Sequence, residues 1–315
     1  MSRSEKLTVS AAPYLKEDVF IQTAMRDVMI ALLPVTLVAV YFYRAYAVMM
    51  VAVCMITAAL TEVVFRKFRG KKATLHDGSA LLTGLFVALL YQATAPPVSA
   101  ILATVLAVGV AKELVGGLGM NRFNPAMYGR VYMIFLAPLL PGTAFGSPSL
   151  GQWTVDVLSQ ASPLAMLGGG MEMPGYLQMF LGYPGGALSE SSPLALLAGG
   201  AYLHMKGHIR LRVPLAIFAT VFVLAMVTGQ DPIYHLLSGG LMMGAIFMAT
   251  DWVTAPITAS GRLIFAVCIG FLVMVFRVLL PTTEGVAFSI LIMNAFVPII
   301  DKSTRHYAFL EPKEA

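Results

Sequence analysis

The sequence predicts an all-α integral membrane protein of about ten transmembrane helices, arranged as two inverted five-helix repeats. Three observations lead there. Of 315 residues, 58% are hydrophobic and only 12% charged, with a mean hydropathy of +0.80; a soluble domain carries about a quarter charged residues. The apolar residues gather in runs close to the ~20 residues that cross a hydrocarbon core. Those runs divide equally around one long segment without a single Lys or Arg. Despite a net charge of +5, this composition excludes a cytosolic enzyme, a disordered tail and a nucleic-acid module.

Residues 1–23 form a cytoplasmic N-terminal segment. Glu17, Asp18 and Asp27 lie at the first apolar run, and no small-residue cleavage site follows, so the run does not read as a signal peptide. The first repeat, 24–140, holds candidate spans at 24–43, 45–65, 78–92, 96–115 and 125–140. An external loop, 141–190, follows. The second repeat, 191–300, holds spans at 191–206, 212–228, 236–250, 262–280 and 285–300, before a cytoplasmic tail, 301–315. The short spans 78–92 and 236–250 are rich in Gly, Ser and Thr and belong inside the bundle, where small residues let helices approach closely.

Charge placement sets the orientation. Arg66, Lys67, Arg69, Lys71 and Lys72 form a basic turn after the second span, which the positive-inside rule assigns to the cytoplasm. Parity then puts both termini and 19 of the 21 Lys and Arg on that side, leaving Arg44 and Arg277 outside. The net +5 divides into +8 inside and −3 outside. An internal echo, Leu81-Leu82-Thr83-Gly84 against Leu236-Leu237-Ser238-Gly239, recurs after five spans. An odd spacing requires opposite directions in the membrane, as in inverted repeats.

The external loop is the first place to look for chemistry, since a structureless segment of that length is usually functional. Its apolar stretches 163–167 and 176–181 read as re-entrant or interfacial. Within it stands Asp156-Val-Leu-Ser159-Gln160-Ala161-Ser162-Pro163. Local chemistry makes Ser162 a helix N-cap with Pro163 at the first helical position. The same geometry suits a phosphate, because a helix N-terminus presents N–H groups and a favourable dipole.

Asp-x-x-Ser-x-Ala-Ser resembles the flavinylation motif Asp-x-x-Ser/Thr-Gly-Ala-Thr, at which a flavin transferase links FMN through its phosphate to the last hydroxyl. The resemblance extends over nearly the whole chain. It includes His76-Asp77-Gly78-Ser79-Ala80-Leu81-Leu82-Thr83-Gly84, Gly116-Gly117-Leu118-Gly119-Met120-Asn121-Arg122-Phe123-Asn124-Pro125-Ala126, Gly129-Arg130, Met248-Ala249-Thr250-Asp251 and Glu284-Gly285-Val286-Ala287-Phe288. The chain is similar to the family of membrane flavoproteins that contains the D subunit of the Rnf ferredoxin:NAD oxidoreductase and the B subunit of the sodium-pumping NADH:quinone oxidoreductase. The resemblance implies covalent FMN as a phosphoester on Ser162, with Asp156, Ser159 and Ala161 completing the attachment motif. Gln160 stands where the family has Gly, and Ser162 where it has Thr; Ser keeps the hydroxyl that the phosphoester needs. The family also implies a second, noncovalent flavin (riboflavin), for which no residue here identifies a site. The implied setting is a bacterial cytoplasmic (inner) membrane.

Arg277, one of two outer cations, is a candidate counter-charge for the flavin phosphate. Gly116-Gly117-Leu118-Gly119 lacks the Lys-Ser/Thr of a nucleotide-binding loop; it reads as an irregular re-entry whose Asn121 and Asn124 satisfy backbone groups, with a polar flavin wall as the alternative. Asp77 and Asp251 lie at span ends, where pairing with Arg130 or Arg262 competes with a proton or cation role. His204 and His208 read as a solvated pair at an inner helix end. No metal-ligand spacing occurs, and Cys54 and Cys268 sit inside apolar runs.

The reading is therefore a membrane subunit of an ion-translocating ferredoxin:NAD+ oxidoreductase, moving electrons coupled to Na+ or H+ transport and not active alone. Its partners are iron–sulfur, NAD-binding and second FMN-carrying subunits, a flavin transferase and membrane lipid. A different class, a channel or secondary transporter of urea-channel-like fold, suits ten spans but needs no flavin motif. The quinone-reducing B subunit carries a longer N-terminal extension than the residues before the first span here.

Overall fold

The computed structural model describes residues 21–72, 74–92, 95–139, 163–164, 166, 173–279 and 284–304. Every ordered element among them is helical apart from an isolated bridge, Gln92 to Ala187. The helices are α1 (Ile21–Phe68), α2 (Ser79–Leu90), α3 (Pro97–Leu114), α4 (Pro125–Leu136), α5 (Tyr176–Leu181), α6 (Pro193–Met205), α7 (Arg212–Val227), α8 (Pro232–Leu237), α9 (Leu241–Met243, running on as the π-helical Gly244–Met248), α10 (Ala259–Leu279) and α11 (Gly285–Thr304). Helices α1, α3, α10 and α11 are long and apolar enough to cross a membrane. Their outward faces carry Leu37, Ile56, Leu60, Leu263 and Phe271 in the open. Large apolar groups on that scale face lipid without penalty and would be costly in water. The chain is a multi-pass membrane protein.

Helix α1 is two arms. Arg44 has φ 48° and ψ −129°, a conformation that side chains other than Gly rarely adopt, and the backbone reverses there. Met25 and Met29 flank Gly78, while Glu62 accepts a hydrogen bond from Thr74 in the same turn. In one straight helix Met29 and Glu62 would lie about 50 Å apart. The break falls between the two apolar runs that the sequence separates at residue 44.

The short helices are interior. Helix α2 would span only about 18 Å, and most of it is buried. A Cβ added at its Gly84 would come 2.6 Å from the Cys54 carbonyl, so the glycine sets how closely α2 meets the second arm of α1. Gly129 of α4 stands closer still against the Ala103 carbonyl of α3. Such small-residue contacts replace the hydrophobic drive that lipid-embedded helices lack.

The echo is displaced from where the sequence locates it. Leu81–Gly84 lies within a helix, whereas Leu236–Gly239 ends α8 and enters a break at Gly239 and Gly240. The tetrapeptides match in composition, but glycines in the left-handed region end the second helix. Helix α5 is largely exposed, with Met179 buried, Leu177 and Leu181 outward and the Tyr176 ring against Tyr234.

Candidate functional site

Buried polar side chains gather at three depths. At the basic end, Lys112 of α3 donates to Glu62 Oε2 at 2.7 Å and to Ser79 Oγ at 2.6 Å. Arg66 donates to Glu113 Oε2 at 3.1 Å, and Arg69 to the Glu113 carbonyl. Lys112, Glu62 and Glu113 are all enclosed. Charges buried inside apolar runs mark functional positions by default. Glu62 and Lys112-Glu113 interrupt such runs, a sequence signal for this cluster that no motif carries.

At mid-depth, Asn294 lies halfway along α11. Its Oδ1 accepts the Asn124 N–H at 3.1 Å and its Nδ2 donates to the Thr254 carbonyl at 3.0 Å. Asn124 Oδ1 in turn accepts from the N–H groups of Ala126 and Met127, capping α4. The segment from Gly116 to Asn124 therefore climbs back to mid-depth, with Gly116, Gly117 and Gly119 at φ 146°, 104° and 87°. This matches the irregular re-entry with Asn side chains holding backbone groups. Non-helical backbone at such depth is tolerated where protein encloses it.

At the opposite end, Arg130 reaches the carboxylate of Glu284, with Nε 3.2 Å from Oε2, and its guanidinium lies 4.8 Å from the Tyr91 ring centroid. The two border a small cavity of about 40 Å³ lined also by Gln92, Ser189, Glu190 and Gly240, room for a few waters. Ser189 Oγ and Glu190 Oε2 are enclosed there without a hydrogen-bond partner among the described residues. Glu190 belongs to the connecting turn Leu188–Ser191. Burial, and then the charge of Glu284, push its carboxyl up to about 7, against the opposing pull of Arg277 and Arg130.

The pairing expected for the two aspartates does not occur. Arg130 turns to Glu284, so it lies at the end of the bundle that holds Arg277 and not at the basic end with which span counting groups it. Arg262 donates to the Pro256 carbonyl. Asp77 accepts from the N–H and hydroxyl of Ser79, and Asp251 from Thr254 Oγ1 at 2.8 Å. Each aspartate caps its own turn, the nearest source of donors. His208 and Asp27 form a contact at 2.8 Å, Nε2 to Oδ2, and His204 faces the Ile209 carbonyl, so the two histidines are separately engaged.

Arg277 stands in the last turn of α10, buried, donating to the carbonyls of His235 at 2.6 Å and Ser238 at 2.8 Å. It thereby closes the end of α8, as a cation at a helix C-terminus does. Its Nε is enclosed without a partner among the described residues. Leu164 and the Arg277 guanidinium both press on Gly239, within 2.8 Å and 2.7 Å of where a Cβ would be. Pro163 and Leu164 have helical backbone. Asp156, Ser159, Gln160, Ala161 and Ser162 lie outside the described residues.

Residues 8–309 match the NQR2, RnfD, RnfE family. The chain belongs to that family. Its relatives include the D subunit of the Na+-translocating ferredoxin:NAD+ oxidoreductase complex of Acetobacterium woodii, 39% identical over 95% of this chain and 94% of the relative. The D subunit of the proton-translocating ferredoxin:NAD+ oxidoreductase complex of Clostridium ljungdahlii is 35% identical over 96% of each chain. The D subunit of the ion-translocating oxidoreductase complex of Stutzerimonas stutzeri is 37% identical over 90% of this chain and 91% of the relative. Within the family frame, Asn124, Gly129-Arg130 and Glu284, which the resemblance groups only by sequence, contribute to the mid-depth cluster and to the cavity at the end opposite the basic one.

Proposed function

We propose that this chain is the D-type membrane subunit of an ion-translocating ferredoxin:NAD+ oxidoreductase, carrying FMN as a phosphoester on Ser162 and working only within its complex. The observation that carries the reading is the near full-length similarity to three D subunits together with the intact hydroxyl motif, Asp156-x-x-Ser159-x-Ala161-Ser162. When bound, FMN supplies one-electron redox chemistry. The chain's own part is to hold it. Ser162 supplies the ester oxygen, and the helical Pro163 and Leu164 follow it. The Arg277 guanidinium and Leu164 both lie against Gly239, and the enclosed Arg277 Nε, without a partner among the described residues, is a donor of the kind a phosphate needs. The ion is Na+ or H+, and the NAD and iron–sulfur sites and the second covalently carried FMN belong to partner subunits.

The finer topology is part of the same reading: ten crossings in a bacterial inner membrane, both termini cytoplasmic, in two inverted repeats. Two features support it. Among the described residues the helical segments number ten when the arms of α1 are counted separately and α8 with α9 as one, leaving aside α5. The half-helices α2 and α9 both begin after a left-handed glycine, Gly78 at φ 74° and Gly240 at φ 67°, at opposite ends of the bundle. Broken helices meeting inside the membrane are a recurrent device of inverted-repeat proteins.

The test is a denaturing gel viewed under ultraviolet light after expression with a flavin transferase. The wild type and Ser149→Ala, a loop hydroxyl outside the motif, are expected to fluoresce and Ser162→Ala to be dark, with Arg277→Gln lowering flavin content several-fold. A dark wild-type band overturns the flavin assignment and leaves the channel reading.

A further inference from the structure

At the basic end, a groove runs between the α6–α7 connection, the turn at 249–257 and the start of α10. Two adjoining cavities of about 400 Å³ each share Arg210, Val213 and Arg262. One is lined by Arg210, Arg212, Ala259, Ser260, Arg262 and Leu263. Its wall has three guanidinium groups and no carboxylate among the described residues. The other holds Asp251, whose carboxylate is occupied by Thr254 and by its own turn. The neighbouring acids are committed too, Asp27 to His208 and Asp301 to the Ile257 N–H. Arg210 and Arg212 are exposed and form no ion pair among the described residues.

The start of α10 adds to the positive field. Thr258 Oγ1 accepts the Gly261 N–H at 3.0 Å, capping a 21-residue helix whose N-terminal dipole favours an anion. The surround is apolar and outward: Leu211, Leu215, Ile257, Leu263 and Ile264 are exposed, and the half-exposed Trp252 is fastened by its Nε1 to the His208 carbonyl at 2.9 Å. Tryptophans at that level are typical of the membrane interface. Positive charge that lacks an acidic partner, opening sideways onto a lipid-facing apolar wall, matches a molecule with an anionic head and a hydrocarbon tail.

We infer that this groove is a binding site for the headgroup of an anionic phospholipid, with the phosphate among Arg210, Arg212, Arg262 and the start of α10, and the acyl chains along Leu263 and Leu215. A free phosphate would satisfy the charges but leave the apolar wall without a ligand.

The test uses the full chain purified in mild detergent and delipidated. Retention of phosphatidylglycerol and of phosphatidylcholine is measured by native mass spectrometry and by thermal unfolding, with inorganic phosphate as a third probe. The wild type is expected to prefer phosphatidylglycerol by at least tenfold. Arg210→Gln/Arg212→Gln is expected to abolish the preference. Lys71→Gln/Lys72→Gln, an equal loss of exposed charge at the same end, is expected to keep it within about twofold. Equal retention of the two lipids overturns the site. An equal loss in the Lys71/Lys72 variant reduces it to general charge, and stabilisation by inorganic phosphate matching that by the lipid reassigns it to a free anion; either result overturns the proposal.

Discussion

Replacing Lys112 by Met keeps most of the side-chain volume and removes the charge that faces Glu62. The two groups are 2.7 Å apart, with side chains 2% and 0% exposed. At an effective dielectric of about 20, unit charges at that separation attract by about 6 kcal/mol, a gross figure that desolvation of both ions offsets for the most part. Deleting one partner is a different matter. Glu62 is left with the Thr74 hydroxyl at 2.9 Å and Arg66 at 3.9 Å, and an under-compensated buried charge costs about 3–5 kcal/mol. Lys112→Met is therefore expected to lose about that much stability in an SDS titration of the micelle-solubilised chain. Glu62→Gln in the same background removes the orphaned charge and should recover at least about half of the loss, the coupling signature of a contacting pair. A single variant that loses under about 1 kcal/mol, or a double variant that loses the sum of both singles, would refute the reasoning.

Glu190 gives a pH dependence of fixed sign. Its carboxyl is raised from 4.5 to about 7, so the stability linked to its protonated form is complete below about pH 4.5 and is lost as pH rises through about 7. The total is on the order of 3 kcal/mol. The wild type should lose stability between pH 5 and 8 and Glu190→Gln should lose much less; parallel profiles would remove Glu190 as the cause. Gly129→Ala drives a methyl into the Ala103 carbonyl, backbone that cannot yield cheaply. It should cost about 1–3 kcal/mol in the same SDS titration, and wild-type stability would show that α3 and α4 are less closely held.

The re-entry at Gly116–Asn124 was legible because its signals are local: a glycine cluster that no helix accommodates, then asparagines and a proline positioned to cap the next helix. The Ser162 motif is local too, a spacing of hydroxyls and a carboxylate, and it lies outside the described residues. Arg130 was misassigned by its place in the chain. Counting spans groups it with the basic end, but α4 begins at mid-depth, so one and a half turns carry Arg130 to the cavity beside Glu284. Glu190 carried no distinguishing sequence signal beyond being one of few outer acids.

By itself, then, the sequence determined that this is a helical membrane protein, roughly where its helices lie and where the first pair turns at Arg44. Those features follow from partitioning each stretch of side chains between lipid and water, a sum over neighbours in the chain. Tertiary structure alone decided which buried charges meet. Lys112 finds Glu62 across 50 residues, Arg130 finds Glu284 across 154, and Asn294 holds Asn124 across 170. A charge taken out of water must have a counter-charge or donors within hydrogen-bond reach, which the sequence implies for every buried ion. The partner is chosen by helix packing, through close contacts such as Gly84 against Cys54 and Gly129 against Ala103 that bring distant segments to the same depth.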